Sequence, residues 1–175
     1  MNTPHDVDEP VHLVPYDPAW PEIYDQERFR IALAFGVFPN SGLLQHIGST
    51  AVPGLIAKPV IDIMLGVRGW PPPEKLLAGL TGLGYENLGE AGVPGRIYLR
   101  RRADREFNAH VVERNGTHWT HNLALRDHLR AESAAREKYA TAKIAAMTRG
   151  GGKLLAYSEA KAEAVAELIR AARVT

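Results

Sequence analysis

Cysteine is absent from the chain, which excludes disulfides, a thiolate nucleophile and cysteine-ligated zinc. An excess of one charge is missing too. The 21 Lys and Arg against 20 Asp and Glu leave a formal net charge of +1, so bulk composition draws the protein neither to nucleic acid nor to an acidic membrane surface. No apolar run approaches the roughly 20 residues of a membrane span. The opening MNTPHDVDEP is polar and partly acidic and lacks the basic and apolar regions of a signal peptide. A cytoplasmic protein with no membrane or nucleic-acid partner is the expectation. Three familiar motifs are also wanting: the Walker-type phosphate loop, the Gly-x-Ser-x-Gly nucleophile elbow and the His-Glu-x-x-His zinc pattern.

What is present suits one globular domain. The 175 residues are 45% apolar, ordinary for a chain that buries a core. Residues 1–10 read as a disordered tail, and 11–175 as a single domain. Val11 to Val14 predicts a short strand. Asp17 as N-cap and Pro18 at the first helical position predict a helix to about Phe35. Leu43 to Ile47 reads as a strand, and Val60 to Val67, almost continuously apolar except for Asp62, as a strand buried on both faces. Pro71-Pro72-Pro73 introduces a helix ending near Gly82 or Gly84. Arg96 to Arg101 and Phe107 to Val112 predict a hairpin. From about Thr117 the pattern is helical, broken at Gly150-Gly151-Gly152, with Ser158 capping a last helix whose apolar side is Ala162, Val165, Ile169 and Ala172. A mixed α/β (α+β) sheet flanked by helices, with more helices at the C-terminus, follows.

The chemistry concentrates in His46-Ile47-Gly48-Ser49-Thr50 and Lys58-Pro59-Val60-Ile61-Asp62. Glycine lets backbone approach a phosphate closely, and the Ser49 hydroxyl with neighbouring amides can donate to its oxygens. Lys58 adds a point charge, and Asp62 on a rigid strand can hold Mg²⁺ against the phosphates. The same Gly-Ser-Thr run also makes an ordinary turn, and a strand Asp also serves as a hydrogen-bonded sheet residue.

HIGSTAVPGLIAKPVIDI resembles the signature of the GrpB family. Val14-Pro15-Tyr16-Asp17-Pro18-Ala19-Trp20 and the run Asn122 to Arg130 are similar to two further blocks, so the resemblance spans about Val11 to Ala172. It implies a nucleotidyltransferase-like fold, with Gly48 and Ser49 matching the phosphate loop, Thr50 beside them, and Asp62 matching a metal carboxylate. The wider superfamily pairs carboxylates two residues apart; here those neighbours are Val60 and Met64. A family His-x-His pattern is reduced to Asn108 and His110. GrpB-like domains also occur fused to dephospho-coenzyme A kinase.

Histidine is one replacement for the missing carboxylate. His46 and His110 converge on Asp62 if their strands flank it, as general bases or metal ligands. Alternation puts Arg96, Tyr98, Arg100 and Arg102 on one face of their strand and Ile97, Leu99 and Arg101 on the other, so Arg100 or Arg101 is a candidate for the nucleotide phosphates. Arg126 and Asp127 read as an ion pair fastening a helix to the sheet. The expectation is a nucleotide-binding enzyme that uses Mg²⁺ and a nucleoside triphosphate, taken as ATP, for nucleotidyl transfer or ATP-dependent ligation to a small-molecule acceptor. The alternatives are a noncatalytic folding or assembly module and a metal-dependent hydrolase.

Overall fold

The computed structural model describes residues 8–172. Its elements run α1 (Trp20–Phe35), β1 (Leu44–Ile47), β2 (Val60–Val67), α2 (Glu74–Gly82), β3 (Glu86–Asn87), β4 (Arg96–Arg102), β5 (Glu106–Glu113), α3 (Thr117–Ala131), α4 (Ser133–Arg149) and α5 (Leu154–Ala172). The strands form one mixed sheet in the order β1-β2-β5-β4-β3. β2 and β5 run parallel, and every other pairing is antiparallel.

The near-continuous apolar run of β2 has its reason in this order: the strand is interior and covered on both faces. Ile61, Ile63, Leu65 and Val67 join Phe107, Ala109 and Val111 of β5 and Leu99 of β4 in the main core, beneath Trp20, Tyr24, Ile31 and Ala32 of α1 and Leu80 of α2. The alternate positions point the other way. Met64 and Val112 pack with Ile47 and Trp119 of α3. The segment after β1 is covered by the C-terminal helices, where Val52 and Leu55 meet Leu129, Ala135, Tyr139 and Leu168.

Several boundaries differ from the sequence pattern. The turn Asp17 makes with Ala19 (N–H to Oδ1, 2.8 Å) is present, but α1 begins at Trp20 because Pro18 and Ala19 are still in that turn. Of the strand predicted at Val11 to Val14, only Val14 pairs, with Ala57. α5 starts at Leu154, so Ser158 lies inside it. Its buried residues are Tyr157 and Leu168, with Val165 of the expected side packed into the same cluster as Leu168, while Ala162 is exposed. Residues 8–10, read as tail, are pinned: Pro10 bridges Lys153, and Glu9 accepts from Leu154 through its carbonyl and from Arg102 through its carboxylate. Residues 1–7 lie outside the described residues.

Candidate functional site

The β2–β5 register sets Asp62 beside Asn108, with His110 two residues further along the same face. Asn108 donates from Nδ2 to Asp62 Oδ1 at 2.8 Å, and His110 Nε2 meets the same oxygen at 3.1 Å. Asn108 is fixed in turn, its Oδ1 accepting from the Tyr98 hydroxyl at 2.9 Å and from Arg102 Nη2 at 3.0 Å. Arg102 is anchored by Glu9 at 2.6 Å. The chain Glu9–Arg102–Asn108 thus aims one carboxylate oxygen. Burial works against the charge on Asp62, but the bond and charge of His110, the charge of Lys58 and the Asn108 bond outweigh it and hold the carboxyl below its ordinary range.

The loop after β1 closes over this carboxylate. Gly48 has φ +71 and ψ −171, a conformation open to glycine alone. A Cβ at that position would stand 2.5 Å from Asp62 Oδ2. Both requirements call for glycine, and the resulting contact lays the single 3-10 turn Ser49–Ala51 against the acid. Gly48, Ser49, Thr50, Lys58 and Asp62 line one small cavity of about 80 Å³.

Other expected residues stand elsewhere. His46 is paired in register with Ile63, not Asp62, so it points to the α1 face. There it stacks on Tyr24 at 4.7 Å between ring centroids and bonds the Thr50 hydroxyl at 3.0 Å. Burial pushes its pKa down to about 4, so it is a neutral structural imidazole near pH 7. Arg101 also faces α1, where it pairs with Glu27 at 2.9 Å. Arg100 shares the Asp62 face but is taken by Glu86 at 2.9 Å and Glu9 at 3.6 Å. Neither arginine lines the cavity. Arg126 does fasten helix to sheet: besides Asp127 at 2.8 Å, it donates to Gln45 Oε1 and the His46 carbonyl.

Sequence reasoning missed the far wall. Tyr139 and Lys143 of α4 and Tyr157 and Lys161 of α5 complete the cavity. The available signal was their spacing, each Lys four residues after a Tyr on the inner stripe of its helix.

The residues fit one hard cation better than two. Asp62 Oδ1 is saturated, Oδ2 beneath Gly48 remains for a ligand, and among the described residues no group of three His, Asp or Glu could hold a metal. Mg²⁺ needs about six oxygens and commonly takes one or two carboxylates plus substrate phosphates, a set that Asp62 and a bound phosphate chain can begin. A pair of metals would be underligated.

Fold and site together define a mixed α/β protein in which a Gly-Ser loop overhangs an ionised strand aspartate. The chain belongs to the GrpB family: the model described as GrpB protein matches residues 10–171. It is 36% identical over 155 residues to the UPF0157 protein of Streptomyces coelicolor, covering 89% of this chain and 80% of that one. The crystal structure of conserved protein GrpB from Enterococcus faecalis superposes with a TM-score of 0.77 at 28% identity, over 92% of this chain and 96% of that one. A protein of Mycobacterium tuberculosis named dephospho-CoA kinase is 30% identical over 178 residues, 87% of this chain and 43% of its own. The chain likewise spans only 38% of Bacillus subtilis YqkA. No described helix is long and apolar enough to cross a membrane.

Proposed function

We propose that the protein is a cytoplasmic nucleotide-binding enzyme that transfers a nucleotidyl group from a nucleoside triphosphate, taken as ATP, to a small-molecule acceptor. The observation that carries this reading is the ionised Asp62 carboxylate, fixed by Asn108 and His110 through one oxygen and laid against the Gly48–Ser49 loop through the other. Ser49 and the loop amides donate to phosphate oxygens, and Lys58 adds positive charge beside them. A divalent cation held by Asp62 Oδ2 and the phosphates would neutralise charge at the reacting phosphorus. The acceptor oxygen bonds to the α-phosphorus, the bond from that phosphorus to the oxygen bridging the β-phosphate breaks, pyrophosphate leaves with that oxygen, and His110 in its neutral form, oriented by Asp62 Oδ1, takes the acceptor's proton. The chain's work is alignment and charge stabilisation. His46, Arg100 and Arg101 have no part in it, given where their side chains are held.

A noncatalytic module is the second reading, favoured by the match to under half of a longer protein named dephospho-CoA kinase. A hydrolase built on Asp62 with two histidines loses His46 to the opposite face of the sheet.

Thermal unfolding with ATP, GTP, CTP and UTP, each with and without Mg²⁺, tests the proposal. Saturation at about 100 times Kd stabilises by about 2.7 kcal/mol, a shift of a few degrees for a domain this size. The expected result is a Mg²⁺-dependent shift that is lost in Asp62→Asn and weakened in Ser49→Ala. No shift with any nucleotide would favour the module.

A further inference from the structure

Three lysines line the cavity over Asp62. Lys58 enters from the loop before β2, Lys143 from the middle of α4 and Lys161 from α5. Lys143 is 1% exposed; its ammonium donates to the Ile56 carbonyl and lies 5.4 Å from the Tyr139 ring. The Lys161 ammonium lies 4.8 Å from the Tyr157 ring. Among the described residues, none of the three is in a salt bridge. Asp62 is the one carboxylate among the residues that line the cavity. The Tyr157 hydroxyl is a further loose end: it is buried and has no hydrogen-bond partner among the described residues.

Buried cations without an anion destabilise a fold, and so does a buried hydroxyl left unbonded. Burial pushes Lys58, which is half-buried, and Lys143 down, whereas Tyr139, Tyr157 and Asp62 hold the half-buried Lys161 above its ordinary value against the effect of burial. Such a cluster is retained where a ligand offsets its cost. The size of the cavity names the part of the ligand that enters. At about 80 Å³ it is far smaller than the roughly 300–1,000 Å³ that encloses a whole drug-sized molecule. It suits one tetrahedral phosphate group and excludes a nucleoside.

We infer that Lys58, Lys143, Lys161 and Tyr157 form a binding site for one phosphate group of a polyphosphate chain, with the nucleoside lying outside the cavity. The three ammonium groups and the phenol donate to the phosphate oxygens. α4 and α5, which lie beyond the Gly-Ser motif in sequence, are on this account part of the site. The inference deepens the nucleotide reading, on which it rests only for what carries the phosphate. It adds that affinity comes from the phosphate tail and discriminates little among bases.

Isothermal titration calorimetry with sodium triphosphate, without Mg²⁺ or nucleoside, tests it. Wild-type protein should bind triphosphate, and the four nucleoside triphosphates should bind within about tenfold of one another, a spread of about 1.4 kcal/mol. Lys58→Met and Lys161→Met should each weaken triphosphate binding by tenfold or more, and Lys58→Met should leave the ligand-free protein no less stable in urea. Tyr157→Phe, the mildest change, should weaken it several-fold. The inference is overturned if wild-type protein gives no triphosphate binding, if the variants bind as wild type does, or if Lys58→Met is destabilised without ligand, since that lysine would then be structural. Triphosphate binding with no nucleotide binding would uphold this site and sink the nucleotide reading. Nucleotide binding that needs Ser49 and Lys58 but ignores Lys161 and Tyr157 would do the reverse.

Discussion

Lys143 shows how far a side chain's surroundings can override its type. Burial first, and then the charge of Lys161 with Lys58 adding to it, pushes its pKa from 10.5 down to about 7. The unfolded chain keeps that proton until about pH 10.5, whereas the ligand-free folded protein releases it above about pH 7. Between those values the unfolded state binds more protons, so the stability of the folded state rises with pH across this window. Below about pH 7 the penalty is present in full. Lys143→Met removes the titration. Its stability advantage over wild type should therefore be greatest near or below pH 7 and should shrink steadily toward pH 10.5. Urea midpoints measured across that range check the prediction, and a gap independent of pH would contradict it.

The same residue marks what the sequence could show of the site. Gly48, Ser49, Lys58 and Asp62 were legible because the chain brings them together within fifteen residues, and their chemistry needs no long-range contact to be recognised. His110 was a candidate on the condition that its strand flanks that of Asp62, and the β2–β5 pairing meets that condition. Lys143 and Lys161 were not, because a helical lysine ordinarily faces water and only the packed fold shows these two turned inward. His46 failed for a different reason. Whether it shares the face of Asp62 depends on the β1–β2 register, and Ile47, its neighbour, is the residue paired with Asp62.

Among the elements, α3 is seated on the sheet by a missing side chain. Trp119 occupies the space above Gly66, where an added Cβ would come within 2.6 Å of the indole. Arg126 and Arg130 of the same helix bond the His46 and Ala51 carbonyls on either side of the Gly48 loop. Gly66→Ala should push the indole outward and destabilise the protein by about 1–3 kcal/mol, the usual cost of overpacking, and should weaken triphosphate binding through the displaced loop. Chemical unfolding and calorimetry on the same variant check both parts. β2, α2 and the β4–β5 hairpin were readable from apolar runs and their bounding prolines and turns. β3 was not: it is two polar residues, Glu86 and Asn87, and exists only because β4 offers an edge.

At the scale of the molecule, the parallel pairing of β2 with β5 joins two parts that are otherwise local. β4 and β5 are joined by a three-residue turn, and β1 meets β2 across a loop of twelve residues. The β2–β5 seam, by contrast, matches Val60 to Glu106 and Val67 to Glu113, across most of the intervening chain. Closing that long loop is the slow kind of step in folding. Refolding should therefore show strand and helix signal by circular dichroism before the capacity to bind triphosphate. Coincident traces would argue that the seam forms with the hairpins.

Asp62 stands on one side of that seam, and Asn108 and His110 on the other. A slip of one residue would turn the whole of β5 over relative to β2, offering Asp62 an alanine or a phenylalanine where it now has an amide and an imidazole. The arrangement is thus a matter of registration, like the two halves of a printed image brought into alignment. A single choice among neighbouring alignments fixes the core on one side of the sheet and completes an acid's set of partners on the other. A chain that settles one step out of register would forfeit both together, so selection for a well-packed interior also guards the alignment of the acid.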